Sequence, residues 1–251
     1  MRLDEIVSFL DDFLAIGEWE DKSINGLQVE GRKEVDKIAF AVDACMETFV
    51  KAKEIGADML VVHHGLIWGG VERIKGMVRK RLKFLLENDI SLYACHLPLD
   101  AHPKVGNNVE LLRIFGVEAE GCFGVYRGKP IGYYGRLDEP KSLEELVNAL
   151  GVINDSPIVL DFGEDEVETI GAVSGKGAFA VSEAIELGLD LFVTGEGEHE
   201  AYHVAKEGRI NVIFAGHYAT ETLGVKALMR VVGEEFAGEV EVKFVDVPTG
   251  L

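Results

Sequence analysis

Four short stretches of the chain carry side chains of the types that can hold metal ions or move protons beside them. They are His63-His64, His96 with Asp100 four residues on, Gly195-Glu196, and His217 with Glu221 four residues on. The three histidine stretches each follow an apolar run that reads as a buried strand, so their polar groups fall at strand ends. Imidazole and carboxylate are the N and O donors taken by zinc, iron, manganese or nickel. Neighbouring side chains on a regular strand point to opposite faces, so His63 and His64 do not easily grip one ion. Either one is structural or they serve two. The spacing suits two divalent ions: His63 and Asp100 on one, His64 and His217 on the other, with Glu221 bridging. Such a pair of ions activates water for hydrolysis. His96, His102, Glu196 and His199 are placed beside the ligands, orienting them or carrying protons, with Glu196 and His96 the proton-transfer candidates.

These residues need a scaffold that brings strand ends together. Leu3, Ile6, Val7, Leu10, Phe13 and Leu14 give an amphipathic helix ending near Gly17. Turn formers around Asn25-Gly26-Leu27-Gln28-Val29 follow, then a strand over 37–43, a helix through Phe49, Val50 and Ala52 stopping at Gly56, and the strand that delivers the histidine pair. Strand, helix, strand is the parallel crossover unit of α/β proteins. A basic amphipathic helix is expected over 72–90, a strand over 90–95, a short helix over 109–115 and a last half-exposed strand over 239–247.

The second half repeats this order. Leu3 to Leu10 matches Leu143 to Leu150 at an offset of 140, and Ile38 to Gly65 matches Ile170 to Gly197 without a gap at an offset of 132. Tyr93-Ala94-Cys95-His96 matches Phe214-Ala215-Gly216-His217 at an offset of 121, which also carries Asp100 onto Glu221. An internal duplication follows. The expected architecture is two similar α/β halves, 1–125 and 126–251, with mixed sheets, flanking helices and a dinuclear metal site between the halves, at the carboxyl ends of parallel strands. His63 and His64 are replaced in the second copy by Gly195 and Glu196, so the site is asymmetric. On duplication alone His96 is as good a ligand as His217.

Composition narrows the function classes. The chain has 251 residues, 47% of them hydrophobic, enough for one large core or two of about 125 residues. Its 25 lysines and arginines against 44 acidic residues give a net charge of -19, which argues against nucleic-acid binding. Cys45, Cys95 and Cys122 lack metal-site spacing and are expected as buried thiols in a reducing cytosol. No signal-like or membrane-spanning run is present, so a soluble cytoplasmic protein is expected. Ser174-Gly175-Lys176-Gly177 fails the phosphate-loop pattern because Gly177 stands where Ser or Thr is needed; its backbone N–H groups could still face an anion. The acidic run 163–168 reads as a solvated loop or hairpin, Trp68 as core or pocket wall, and the basic helix as a solvated face or an anion-attracting rim.

Val61-Val62-His63-His64-Gly65-Leu66-Ile67-Trp68, His96-Leu97-Pro98-Leu99-Asp100-Ala101-His102, Thr194-Gly195-Glu196 and Ala215-Gly216-His217-Tyr218-Ala219-Thr220-Glu221 resemble the signature stretches of the GTP cyclohydrolase 1 type 2, or Nif-three-like, family. Asn25 to Val29 is similar to its N-terminal motif. The resemblance implies a two-part α/β chain with a dinuclear centre held by His63, His64, Asp100, His217 and Glu221, assembled as a homohexameric ring. It favours His217 over His96. The chain is too short for the domain that longer members insert, and the usual His-Thr stands here as His96-Leu97, without the hydroxyl. The implied activity is hydrolytic opening of the GTP imidazole ring at C8 with formate release, on a small-molecule substrate of nucleotide type. The alternatives are a metal-handling or scaffold protein without GTP turnover, to which the strong acidity lends weight, and a metal-dependent phosphoesterase.

Overall fold

The computed structural model describes residues 1–70 and 73–251. In chain order the elements are α1 (Leu3–Leu14), β1 (Gly26–Val29), β2 (Lys37–Asp43), α2 (Met46–Glu54), β3 (Met59–His64), α3 (Gly76–Glu87), β4 (Ser91–Ala94), α4 (Leu97–Asp100), α5 (Asn107–Ile114), β5 (Gly121–Tyr126), β6 (Lys129–Ser142), α6 (Leu143–Ala149), β7 (Ile158–Leu160), β8 (Glu166–Val173), α7 (Val181–Glu186), β9 (Leu191–Thr194), α8 (His199–Gly208), β10 (Asn211–Phe214), α9 (His217–Glu235) and β11 (Glu241–Phe244). They form two mixed sheets flanked by helices, one ordered β1-β4-β3-β2-β11 and the other β5-β6-β8-β9-β10-β7.

Two compact units result, Met1–Leu99 with Val225–Val247, and Asp100–Gly224 with Pro248–Leu251. Position 125, the boundary expected from the sequence, lies inside β5, which pairs antiparallel with β6 and so extends the second sheet. β11 returns to the first sheet, where it runs parallel to β2 with Val242 opposite Ile38.

In the first unit β2, β3 and β4 are parallel and β1 closes the edge antiparallel to β4. Both faces of these strands are covered: Ile38 to Val42 and Met59 to Val62 are all at most 1% exposed. One face, Ala39, Ala41, Leu60, Val62 and Leu92, shares a core with Phe49, Ala52 and Leu85. α1 buries Leu3, Ile6, Leu10 and Leu14 as its spacing requires; it stops at Ala15, whose φ of 48° ends the helix two residues before Gly17. The expected 72–90 helix is realised as Gly76–Glu87, stopped by Asn88 and by Asp89 at φ 51°, while position 72 lies outside the described residues.

The second unit has the same centre, parallel β8, β9 and β10 with β7 antiparallel at the edge. Its core gathers Leu111, Leu112, Phe115, Leu146, Leu150, Ile170, Leu191 and Ile213. The acidic run is not wholly a loop. From Glu166 it is strand, with Val167 buried between two exposed glutamates, because alternation puts only every second side chain in water.

The strand registers repeat at the offset seen in the sequence, consistent with a duplicated fold. Ile38 pairs Met59 and Ile170 pairs Leu191, each at the 132 offset. The Asp58 carboxylate accepts the N–H groups of Asp36 and Lys37, and Asp190 accepts those of Glu168 and Thr169, again displaced by 132. The later match shifts by one: Met59 pairs Ser91 while Leu191 pairs Asn211, so β4 and β10 are related by 120 rather than 121. His96 therefore corresponds to Gly216, and Leu97 to His217. A one-residue slip reverses which face a side chain takes, so the repeat does not make His96 and His217 equivalents.

Candidate metal centre

β3 ends in the histidine pair, His63 fully buried and His64 half-buried. The parallel register sets Asp43, the last residue of β2, opposite His64, and Asp43 Oδ1 lies 2.9 Å from His64 Nδ1. His63 Nδ1 lies 2.9 Å from the carbonyl oxygen of Cys95, just past β4. His96, next along, has Nδ1 at 3.0 and 2.9 Å from the two carboxylate oxygens of Asp21. Asn25 Nδ2 and the backbone N–H of Leu97 also donate to Asp21, and Asn25 Oδ1 accepts the His96 N–H. Burial opposes the ionised form of Asp21, but the hydrogen bond and charge of His96, with the Asn25 and Leu97 donors, outweigh it and hold the carboxyl well below its ordinary range. His63, His64 and His96 each offer one ligand atom within 4.8 Å of the others. The ring centroids of His63 and His64 are 4.7 Å apart: the pair sits side by side because His64 is the residue at which β3 ends.

In the second unit the candidate residues come from α4, the turn after β9 and the start of α9. Asp100 is 6% exposed, and its Oδ1 accepts from Asn107 Nδ2 at 2.9 Å and Ser174 Oγ at 3.0 Å. His217 opens α9, and one turn on Glu221, 3% exposed, brings Oε1 to 2.9 Å from His217 Nε2. Glu221 also has a carboxylate oxygen within 4.8 Å of one of Asp100. Glu196 Oε1 lies 2.6 Å from His217 Nδ1. Burial pushes the His217 imidazole down, but its hydrogen bonds and proximity to Glu221 and Glu196 win and raise it to about 9.

The Ser174-Gly175-Lys176-Gly177 turn packs against this group. Gly175, at φ +57°, accepts the Glu196 N–H and donates its own N–H to Thr220 Oγ1. A Cβ at Gly175 would run into Glu221 Oε1 and come within 3.2 Å of His217 Nε2. The turn thus leaves room for the His217 and Glu221 side chains.

One pattern runs through all four histidines. The Nδ1 atoms of His63, His64, His96 and His217 each face an oxygen, from Cys95, Asp43, Asp21 and Glu196 respectively, which orients each ring and sets a proton on Nδ1. That is the chemistry a divalent-ion site requires of its histidines. Asp100 is likewise held through one oxygen. Asp43 was discoverable from sequence, since the carboxyl ends of parallel neighbours β2 and β3 must coincide; Asp21, in an irregular stretch 75 residues from His96, gave no signal.

Other expectations resolve differently. His102 accepts the N–H groups of Lys104 and Val105 through Nδ1, closing a turn. His199 is exposed on α8, its ring edge-on to His203 at 6.0 Å. His199-Glu200-Ala201-Tyr202-His203 has the H-E-x-x-H spacing of zinc helices, yet among the described residues no third donor joins these two exposed rings in a metal-holding cluster. Trp68, 41% exposed, is pocket wall rather than core, lining a cleft with Leu66, Ile67, Arg73 and Lys75. Cys95 is buried as expected, whereas Cys45 is only partly so and Cys122 is exposed on the edge strand β5.

A family description, Duf34/NIF3 (NGG1p interacting factor 3), matches residues 1–250. The chain belongs to the Duf34/NIF3 family. Among its relatives in the family, a GTP cyclohydrolase 1 type 2 homolog of Pyrococcus horikoshii is 56% identical over 253 residues, and one of Archaeoglobus fulgidus 55% identical over 251, each match covering 100% of both chains. The crystal structure of TTHA1606 from Thermus thermophilus is similar to this Duf34/NIF3 chain at a TM-score of 0.89, with 42% identity and 100% of each chain covered. Among the described residues no helix is long and apolar enough to cross a membrane.

Proposed function

We propose that this Duf34/NIF3 chain is a hydrolase dependent on two divalent ions, acting on a nucleotide by opening the imidazole ring of GTP at C8 with release of formate. The observation that supports it is the set of four histidines whose Nδ1 atoms each face an oxygen, together with two buried carboxylates, Asp100 and Glu221. His63, His64, Asp100, His217 and Glu221 would hold the ions, the last as the bridge; the donor set suits zinc, iron, manganese or nickel. When bound, a pair of such ions supplies a water ionised near neutral pH and a clamp on the electrophile.

The protein's own groups do the rest. Asp43, Cys95 and Glu196 orient the imidazoles. The His96–Asp21 pair is suited to take and return a proton at His96 Nε2, and Glu196 at the mouth of its turn is the second candidate for proton transfer. Assembly as a homohexameric ring and a cytoplasmic setting are proposed on the resemblance and composition.

The net charge of -19 favours a second reading, in which the ions are cargo or structural, since such a field repels a triphosphate. The same donors would also serve a phosphoesterase. Assaying formate and pterin from GTP with metal-loaded protein and with His64→Ala separates these. Turnover lost in the variant supports the cyclohydrolase; no turnover at full metal occupancy supports cargo, and phosphate release without formate the phosphoesterase.

A further inference from the structure

Arg73, Lys75, Arg79, Lys80, Arg81 and Lys83 gather six of the chain's 25 cations within and just ahead of α3, against a net charge of -19. Among the described residues Lys83 pairs with Glu87, and the other five have no acidic partner. Cations without an acidic partner among the described residues, on so acidic a chain, make a local positive field. Beside them lies a cleft of about 690 Å³ lined by Leu66, Ile67, Trp68, Arg73, Lys75 and Val78, a volume in the range of small-molecule sites.

Trp68 connects this cleft to the histidines. Its Nε1 donates to the Gly65 carbonyl at 2.9 Å, which fixes the indole. Its ring lies edge-on to His96 at 5.0 Å and tilted to His64 at 6.1 Å, yet 41% of the residue remains exposed. An immobilised, half-open indole next to two cations offers a purine a stacking surface and its phosphates a counter-charge.

We propose that the cleft between Trp68 and the basic start of α3 is the nucleotide subsite, with the purine stacked on Trp68 and the polyphosphate held by Arg73 and Lys75. It rests on the hydrolase reading for the choice of a nucleotide as ligand. It also answers the charge objection, because the cations sit where the phosphates go rather than being spread over the surface.

The test is binding to the full, metal-free chain in EDTA, so that the ions play no part. Trp19→Phe leaves Trp68 as the lone tryptophan. GTP quenches Trp68, with an affinity that falls as salt rises. By equilibrium dialysis, R73E/K75E weakens both GTP and inorganic tripolyphosphate by about tenfold or more. Trp68→Leu weakens GTP on the order of tenfold and leaves tripolyphosphate unchanged. Both variants alter exposed positions, and unchanged thermal unfolding confirms that they fold. Unchanged GTP affinity in R73E/K75E, or GTP binding that appears only with added divalent metal, overturns the subsite. GTP binding of this kind without formate release overturns the cyclohydrolase and leaves the subsite; formate release with an unaltered KM in R73E/K75E does the reverse.

Discussion

Asp43 lies outside the proposed ligand set, yet it decides how well His64 can serve. Its Oδ1, 2.9 Å from His64 Nδ1, fixes both the tautomer and the ring plane. Asp43→Ala removes that acceptor, so His64 can rotate and carry its proton on either nitrogen. Losing such a partner typically weakens metal binding about 10- to 100-fold, or about 1.4–2.8 kcal/mol. Asp43→Asn keeps an acceptor oxygen without the charge and is expected to lose less. The side chain is 33% exposed at a strand end, so neither substitution opens a cavity in the core. The assay is competition with a chelator for zinc or cobalt. Glu47→Ala is the control: it deletes the same charge from an exposed i,i+4 pair with Lys51. Asp43→Ala indistinguishable from Glu47→Ala would refute the argument that Nδ1 anchoring prepares these histidines for metal.

Gly175→Ala places a methyl against Glu221 Oε1 at a backbone of φ +57°; about 1 kcal/mol of stability is expected to go to the left-handed alanine, and metal occupancy by elemental analysis to fall as Glu221 is displaced. His217 is raised from 6.5 to about 9 in the metal-free chain, so the stability it contributes is complete below about 6.5 and is lost as pH rises through about 9. Urea midpoints of the metal-free protein at pH 6, 7.5 and 9 should therefore decline more steeply than those of His217→Gln, and parallel slopes would contradict the assignment. Asp58→Ala strips the acceptor from the N–H groups of Asp36 and Lys37, and Asp190→Ala from those of Glu168 and Thr169; losses of about 2–3 kcal/mol, similar for the two, are expected in urea unfolding.

The parallel strands were legible because burial on both faces leaves unbroken apolar runs, as in Met59 to Val62. The hairpin of β5 and β6 was not: Gly121 to Tyr126 and Lys129 to Ser142 are broken by glycines, Pro130 and many charges, and their pairing is fixed by register with β8 rather than by their own pattern. α9 is likewise poorly marked in the sequence. Tyr218, Thr220, Glu221, Val225, Leu228 and Val232 are all buried, and polar groups among them blur the stripe that marks a surface helix. At the site, residue type singled out the histidines and acids at strand ends, whereas their orienting partners depend on which strands lie side by side. The slip between offsets 121 and 120 shows the limit of sequence similarity alone. Two aromatic-alanine pairs, Tyr93-Ala94 and Phe214-Ala215, align well by type, while the backbone ladder pairs Ala94 with Val62 and Phe214 with Thr194.

Two ions held jointly by these imidazoles and carboxylates are the centre of the proposed site. Anomalous diffraction from crystals of the metal-loaded protein, collected at the metal edge, measures this directly. Two peaks per chain, contacted by His63, His64, Asp100, His217 and Glu221 with Glu221 shared between them, are predicted. A loaded crystal with its metal elsewhere, or with a single ion bound by His63, His64 and His96 alone, would contradict it.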